Sequence, residues 1–259
     1  MKVKNLRPVF LICSLLLFSA ILFIGCGDRK DETSGNNTTD GNNEQTGSSE
    51  LSAKGKEIFY AASTETGLKC ADCHSDGTND DKSLTKFFSP VNGVPKRTST
   101  YHGMFKGEEV VKTAGGSTVC WERYLGYTDE LTPEQISALN AYFEEIATPN
   151  DPKEIVYETI ALPERDKEKL KVERDVILKL TGNPDNGQKL FKEACSFCHS
   201  KDTPVKEVPN LQEYEGNEKG IIYKARLGDE YMPFFRKDKL TDQDIADLGA
   251  FIMTKVVQQ

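Results

Sequence analysis

The sequence predicts a mainly α-helical protein built from two small domains in tandem. Residues 131–143 and 240–252 align without gaps at an offset of 109 residues, and both carry apolar residues at helical spacing. A Cys-x-x-Cys-His motif precedes each stretch, at residues 70–74 and 195–199. Because the same motif and the same helix occur twice in the same order, we expect one structural unit that is used twice.

The two aligned stretches have the features of terminal helices. Thr132 and Thr241 stand at the N-cap positions, where a side-chain oxygen accepts a hydrogen bond from the first helical turn. A related pair of helices is predicted before the motifs, from the Gly-x-x-x-Phe pattern at residues 55–59 and 187–191, and Asn183 is the expected N-cap of the second. Each terminal helix has an apolar face that we expect to lie in the core. Ile136, Leu139 and Phe143 form this face in the first helix, and Ile245, Leu248 and Ile252 form it in the second.

The two motifs have the spacing of covalent haem attachment sites. Cysteines three positions apart face the same side of one helical turn, where their sulfurs form thioether bonds to the vinyl groups of a haem, and the following His is the proximal iron ligand. A single Cys-x-x-Cys pair also suits zinc or a redox disulfide, but two copies with matching helices favour haem. We therefore predict a di-haem c-type cytochrome whose two covalently attached c-type haems are held by Cys70, Cys73 and His74 and by Cys195, Cys198 and His199.

A methionine loop is predicted in the second domain. Residues 231–235 read Tyr-Met-Pro-Phe-Phe, and Met232 stands nine positions before Thr241. The stretch resembles the methionine loop of class I cytochromes c. This resemblance implies that Met232 is the sixth iron ligand and that the haem has a raised potential. The alternative is a methionine that fills the core.

The first domain has no methionine at the matching position. The repeat offset projects Met232 onto position 123, and the nearest residue able to bind iron is Cys120. Of the seven cysteines, two belong to the N-terminal region and four to the motifs, which leaves Cys120 as a lone thiol in an oxidising compartment. We interpret Cys120 as a thiolate ligand of the first iron. A buried inert cysteine and an intermolecular disulfide are alternatives, and Met104 and His102 are alternative ligands.

Cys120 begins a stretch with a family resemblance. The run Cys-Trp-Glu-Arg-Tyr-Leu-Gly is similar to the Cys-x-x-Arg stretch of thiosulfate dehydrogenases and related sulfur-oxidation cytochromes, and the resemblance covers residues 53–146. It implies that Cys120 is the distal ligand of a catalytic haem and that Arg123 helps to hold a small sulfur anion. Arg97 and Lys96 are further candidates for holding the anion, chosen by charge alone. The residues after Arg123 differ from the Ser-Met-Asn that usually follows in that family.

The predicted iron ligands set a direction for electron transfer. Cys/His ligation stabilises ferric iron and His/Met ligation favours ferrous iron, so electrons are expected to pass from the first haem to the second and then to a redox partner protein. The resemblance implies an oxidoreductase that oxidises thiosulfate or a similar anion at the Cys120 haem, with tetrathionate as the product for thiosulfate. The alternatives are an electron carrier without a substrate and a di-haem peroxidase that uses His102.

The N-terminus has the features of a lipoprotein export signal. Basic residues and an apolar run over residues 9–24 precede Cys26 in a sequence that resembles a bacterial lipobox. We predict a signal peptide over residues 1–25, a lipid-modified Cys26 and a disordered tether over residues 26–50, which has no aliphatic or aromatic side chain after Cys26. The protein is expected to be exported and anchored in a membrane by lipid, facing the periplasm. Because Gly27 and not Asp follows the cysteine, the outer membrane is the expected location. An uncleaved N-terminal anchor is the alternative.

The acidic composition restricts the partners. A formal net charge of −8 argues against nucleic acid and against binding of anionic lipid by charge. We place the first cytochrome c-like domain at residues 51–148 and the second at residues 182–259. The residues between them, 149–181, are expected to form a charged connector with a helix whose charges are solvated.

Overall fold

A computed structural model describes residues 43–78, 84–151, 166–211 and 217–257. The predicted signal peptide, the lipidation site Cys26 and most of the predicted tether lie outside the described residues. We call residues 43–151 the first half and residues 166–257 the second half, each without its undescribed positions.

The described residues are mainly α-helical, as predicted. Their one sheet is an antiparallel pair of two-residue strands, β1 (Ser99–Thr100) and β2 (Phe105–Lys106). The α-helices are α1 (Asn43–Tyr60), α2 (Cys70–Cys73), α3 (Glu108–Lys112), α4 (Ser117–Arg123), α5 (Pro133–Glu145), α6 (Lys167–Ile177), α7 (Pro184–Ala194), α8 (Ser196–His199), α9 (Glu218–Leu227) and α10 (Asp242–Val257).

In the first half, α1 crosses α5 at Gly55. A Cβ atom on Gly55 would lie 2.0 Å from the carbonyl oxygen of Ala138 and 2.8 Å from the Cβ of Tyr142, so the crossing requires glycine. One turn later, the rings of Phe59 and Tyr142 pack with their centroids 5.6 Å apart. The close approach of the two helices buries Phe59 and Phe143 in the core of this half.

The second half repeats this crossing. A Cβ atom on Gly187 in α7 would lie 2.0 Å from the carbonyl oxygen of Asp247 and 2.8 Å from the Cβ of Phe251 in α10. The rings of Phe191 and Phe251 pack with their centroids 5.4 Å apart. Both α10 residues lie 109 positions after their counterparts in α5. The offset found in the sequence is therefore reproduced in the packing.

The predicted helix starts and apolar faces are confirmed. The hydroxyl of Thr132 accepts from the N–H of Gln135, whose side chain accepts in turn from the N–H of Thr132 at 2.8 Å. Asn183 caps α7 with its side chain, and the N–H of Asp244 donates to the Thr241 hydroxyl at 3.1 Å. Ile136 is partly buried, and the other five residues of the predicted faces are buried, namely Leu139, Phe143, Ile245, Leu248 and Ile252.

Helix α1 begins earlier than predicted. It starts at Asn43, inside the stretch that we predicted to be a disordered tether. Residues 47–50 are exposed, so this extension buries little, in agreement with its polar composition. Its helical form has a physical reason, because adding a residue to a helix that is already held by tertiary contacts costs far less than starting a new one.

The charged connector contains the predicted helix, α6, but this helix is not solvated on all sides. Leu170 and Ile177 are buried, and Ile177 belongs to the core of the second half. The Glu173 carboxylate accepts a hydrogen bond from Nε of the buried Arg226 at 2.9 Å. One face of the connector helix is therefore part of the packed second half.

The two halves share packing surfaces within one compact unit that spans residues 41–259. Leu68 and Leu125 from the first half form a buried cluster with Val205 from the second. The N–H of Lys206 donates to the carbonyl of Thr66 at 2.8 Å. The boundary between two domains stays a prediction. Within the described residues, no helix has the length and apolar character needed to cross a membrane.

Candidate functional site

One cavity brings the two Cys-x-x-Cys-His motifs together. Its wall contains His74 and His199, and most of its other lining residues are apolar or aromatic. Cys70 and Cys198 also pack against the shared cluster of Leu68, Leu125 and Val205. Four cysteines of the motifs line the cavity, namely Cys70, Cys73, Cys195 and Cys198.

The two motif histidines use the same ring nitrogen to bind the same kind of partner. Nδ1 of His74 lies 2.7 Å from the carbonyl oxygen of Ser89, and Nδ1 of His199 lies 2.8 Å from that of Pro209. A carbonyl oxygen only accepts, so Nδ1 carries the proton in both rings. The other nitrogen, Nε2, is then left with a lone pair, which is the arrangement of a histidine that binds a metal.

Burial favours the neutral form of both histidines. It lowers the pKa of His74, an effect that the Ser89 carbonyl opposes and the charge of Arg97 reinforces. It lowers the pKa of His199 in the same way, with Pro209 opposing. A neutral imidazole is the form that binds iron, so the surroundings of both rings favour ligation.

No disulfide joins the five cysteines that the structure describes. Burial raises the pKa of Cys70 and of Cys195 to about 12. Burial also raises the pKa of Cys73, with a further contribution from Cys198 of the other motif. Both Cys-x-x-Cys pairs thus lie in a buried environment within the wall of one cavity.

Cys120 lies in the wall of the same cavity. It belongs to α4, and burial raises the pKa of its thiol to about 11. Two glycines hold α4 in place. A Cβ on Gly115 would lie 2.2 Å from Cγ1 of Val94, and one on Gly116 would lie 2.9 Å from the Cβ of Tyr101. Both glycines have positive φ angles, of 71° and 101°, so the approach of α4 to the cavity depends on them.

The alternative ligands for the first iron are placed differently. Met104 is 64% exposed and is not among the residues that line the cavity. His102 lines the cavity, but its ring packs on Phe234 in the predicted methionine loop, with centroids 5.4 Å apart. Of these three candidates, Cys120 and His102 line the cavity and Met104 does not.

Of the three cationic residues predicted to hold an anion, one lies in the cavity wall. Arg97 is buried there, and its Nη2 donates to the carbonyls of Pro90 at 2.8 Å and Asn92 at 2.9 Å. Arg123 is exposed and stacks over the Tyr124 ring at 5.5 Å without lining the cavity. Lys96 is also exposed and pairs with a glutamate. The structure therefore separates Arg123 and Lys96 from the cavity.

Met232 lies in the cavity wall and packs against the core of the second half. Its N–H donates to the carbonyl of Asp229 at 2.7 Å, and its own carbonyl accepts from the N–H of Asp229 at 3.1 Å. Gly228 adopts a φ of 68°, and a Cβ there would lie 2.5 Å from the Met232 oxygen. The loop is thus held in one conformation by its backbone.

Sequence reasoning missed the carbonyl groups that orient the two histidines. The Ser89 carbonyl precedes Pro90, and the second carbonyl belongs to Pro209 itself. A proline shortly after each motif is the sequence signal that could have indicated them. Thr100, which lines the same cavity as Arg97, had no signal, because an isolated threonine has no distinguishing pattern.

A known family matches the second half of the chain. The model of the family described as cytochrome c oxidase, cbb3-type, subunit III matches residues 182–252. This match supports a c-type cytochrome. It implies an electron-carrying protein with a covalently bound, iron-containing c-type haem. We found no match among curated proteins or among solved structures.

The residues of this cytochrome c domain fit such a haem. Cys195 and Cys198 offer two thiols, His199 offers Nε2, and Met232 lies in the same wall. The first half offers the same groups except the methionine. It also has a buried Thr100 hydroxyl that lines the cavity and has no hydrogen-bond partner in the part of the chain that the structure describes. An unsatisfied buried donor in the same cavity wall as an arginine suits a carboxylate such as a haem propionate.

Proposed function

We propose that the chain is a di-haem c-type cytochrome that passes electrons between two neighbouring haems and on to a redox partner protein. One observation carries the proposal for the first half. The His74–Ser89 hydrogen bond repeats the His199–Pro209 hydrogen bond of the half that matches a cytochrome family. A repeat of ligand orientation is more specific than a repeat of the Cys-x-x-Cys-His motif alone.

A bound haem supplies one-electron chemistry through its iron. The chain supplies the apolar walls that exclude water and the cavity that both motifs line. Cys73 of the first motif packs against the core of the second half, so the first attachment site adjoins the half that holds the second. This arrangement favours transfer between the two haems.

The distal residues support a direction for that transfer. Cys120 as a thiolate would stabilise ferric iron in the first site, and Met232 as a thioether would raise the potential of the second. Electrons would then pass from the first haem to the second. We propose further that the protein is exported and held at a membrane by lipid on Cys26, where it meets its redox partner.

The haem count tests the proposal. The protein is produced in a host that attaches c-type haem, and intact mass spectrometry counts the haems. We expect two on the wild type and one on each of two variants, Cys70→Ala/Cys73→Ala and Cys195→Ala/Cys198→Ala. A Cys120→Ala variant is the matched control, because it removes a cysteine of the same cavity and should keep both haems. A single haem on the wild type would overturn the proposal.

A second candidate function is the oxidation of a small sulfur anion at the first site. The observation that favours it is the presence of Cys120 and the buried Arg97 in one cavity wall. For thiosulfate, two anions would lose one electron each and join through a new S–S bond as tetrathionate, while each of the two ferric haems gains one electron.

Mixing oxidised protein with thiosulfate tests this second function. Reduction of the wild type, with no reduction of a Cys120→Ala variant that keeps both haems, supports oxidation at the Cys120 site. If thiosulfate reduces neither protein while dithionite reduces both haems, the chain is an electron carrier without this substrate.

A further inference from the structure

One short segment of the first half reaches into the second. The 3₁₀ turn Leu84–Phe87 begins with a leucine that is 5% exposed and belongs to the core cluster of the second half. Lys86 pairs with Glu193 of α7 at 3.6 Å. This segment belongs to the longer stretch that follows the first motif. We call residues 84–89 the crossing segment.

The crossing segment contacts the proximal ligand of the first site. Its last residue, Ser89, provides the carbonyl that accepts from Nδ1 of His74 at 2.7 Å. The preceding residue, Phe88, has its ring centroid 6.2 Å from that of His74 in an edge-on arrangement. The position of this segment therefore helps to set the orientation of the His74 ring.

The same segment contacts the methionine loop of the second site. The ring centroid of Phe88 lies 5.8 Å from that of Phe235, which is three residues after Met232. Phe235 is 4% exposed, and its N–H donates to the carbonyl of Ala225 at 2.8 Å. Backbone hydrogen bonds hold the loop on both sides of its methionine, at Asp229 and at Phe235. A displacement of Phe235 would therefore be transmitted to Met232.

We infer that Phe88 is a positioning residue that couples the two haem sites. Its ring touches the proximal histidine of the first site and the loop that presents the distal methionine of the second. The inference rests on the proposed function, since it requires two haems and Met232 as an iron ligand. Both haem potentials then depend on this one side chain, which also lines the cavity between the sites.

Phe87 offers a matched control. It is the neighbour of Phe88 in the chain, and its ring packs edge-on against Phe235 with centroids 5.5 Å apart. Both Phe87 and His74 are described, and the structure shows no ring contact between them. Loss of Phe87 should therefore affect the second site alone, while loss of Phe88 should affect both.

The experiment is a spectroelectrochemical titration of the haem-loaded wild type, Phe88→Ala and Phe87→Ala. Removal of the Phe88 ring takes a packing partner from the His74 ring and from Phe235 beside the methionine loop, so the iron ligands of both sites lose support and both potentials should fall. The Met–iron charge-transfer band of ferric haem should weaken at the same time. Phe87→Ala should lower the potential of the second haem and leave that of the first unchanged. A Phe88→Leu variant keeps most of the volume without the aromatic ring, and it should shift both potentials in the same direction by less.

The outcomes separate the inference from the proposed function. Variants that lack one attachment motif assign each potential to its site. If two haems are present but Phe88→Ala or Phe88→Leu moves only one potential, or Phe87→Ala moves both, the coupling role of Phe88 is wrong while the di-haem function stands. If mass spectrometry finds one haem, the proposed function fails and the coupling inference fails with it. Should the alanine variant not fold, the leucine variant alone decides between these outcomes.

Discussion

Gly187 packs so closely against Asp247 that a Cβ atom on the glycine would lie 2.0 Å from the carbonyl oxygen of the aspartate. This contact sets the distance between α7 and α10, and backbone atoms cannot move away as the end of a flexible side chain can. The contact also explains why a glycine stands inside a helix, where it is otherwise unfavourable.

Gly187→Ala should lower the free energy of unfolding by about 1–3 kcal/mol, because the added methyl group forces two packed helices apart. Urea unfolding followed by circular dichroism measures the change. Gly47→Ala is the control, since a Cβ at Gly47 would meet nothing within 4 Å. That substitution should stabilise the helix by up to about 1 kcal/mol, because alanine is the better helix former. Equal effects of the two substitutions would contradict the packing argument.

Asp247 should make the stability of the second half depend on pH. Burial opposes its ionisation, but hydrogen bonds from the N–H of Asn183 and the side-chain amides of Asn186 and Gln243 hold the pKa of Asp247 below its ordinary value. Because the pKa of Asp247 is lower in the folded protein, its stabilisation is fully present above the pKa of the unfolded chain, which is about 4. The stabilisation is lost as the pH falls through the lower pKa of the folded protein.

Asp247→Ala should therefore cost about 1–3 kcal/mol at neutral pH, because it leaves buried donors unsatisfied. The difference between the wild type and the variant should shrink as the pH is lowered below about 4. Urea midpoints of both proteins over this pH range measure it. A difference that stays constant down to the lowest pH would show that the charge of Asp247 is not the cause.

Arg226 should be the most costly ionic residue to remove. Its side chain is 5% exposed, and it pairs with Glu173 at 2.9 Å and with Asp242 at 2.7 Å. It also donates to the carbonyl of Phe235 at 3.2 Å, beside the methionine loop. Arg226→Leu should destabilise the protein by about 3–5 kcal/mol, since it leaves acidic partners without their buried cation.

The control for Arg226 is an exposed pair. Lys54 lies 3.1 Å from Glu134, with side chains that are 49% and 71% exposed. Lys54→Met should leave the thermal midpoint almost unchanged, because water and salt screen such a pair. A comparable loss in both variants would indicate that burial does not set the strength of these ion pairs.

The distal ligand of the first haem is expected to be Cys120. Electron paramagnetic resonance of the ferric protein should show a low-spin signal typical of thiolate ligation, and Cys120→Ala should remove it. Met104→Ala should leave the spectrum unchanged, because Met104 is 64% exposed and lies outside the cavity wall. A spectrum altered by Met104→Ala and not by Cys120→Ala would reassign the ligand.

Much of the fold could be predicted because its signals are local. The Thr132 cap, the apolar face that contains Leu139 and the Cys-x-x-Cys-His motifs each depend on residues within a few helical turns of one another. Helical periodicity converts such spacings directly into faces and caps. The start of α1 was less predictable, since Asn43 is helical only as an extension of a helix that is held elsewhere.

The sequence by itself therefore determined the repeated helices, the connector helix and the groups available for haem attachment. Only the tertiary structure decided which cation lies in the cavity, because burial of Arg97 and exposure of Arg123 depend on contacts between distant segments. It also decided that Phe88 lies between His74 and Phe235. Such contacts join residues that share no periodicity or spacing along the chain, so no pattern in the sequence records them.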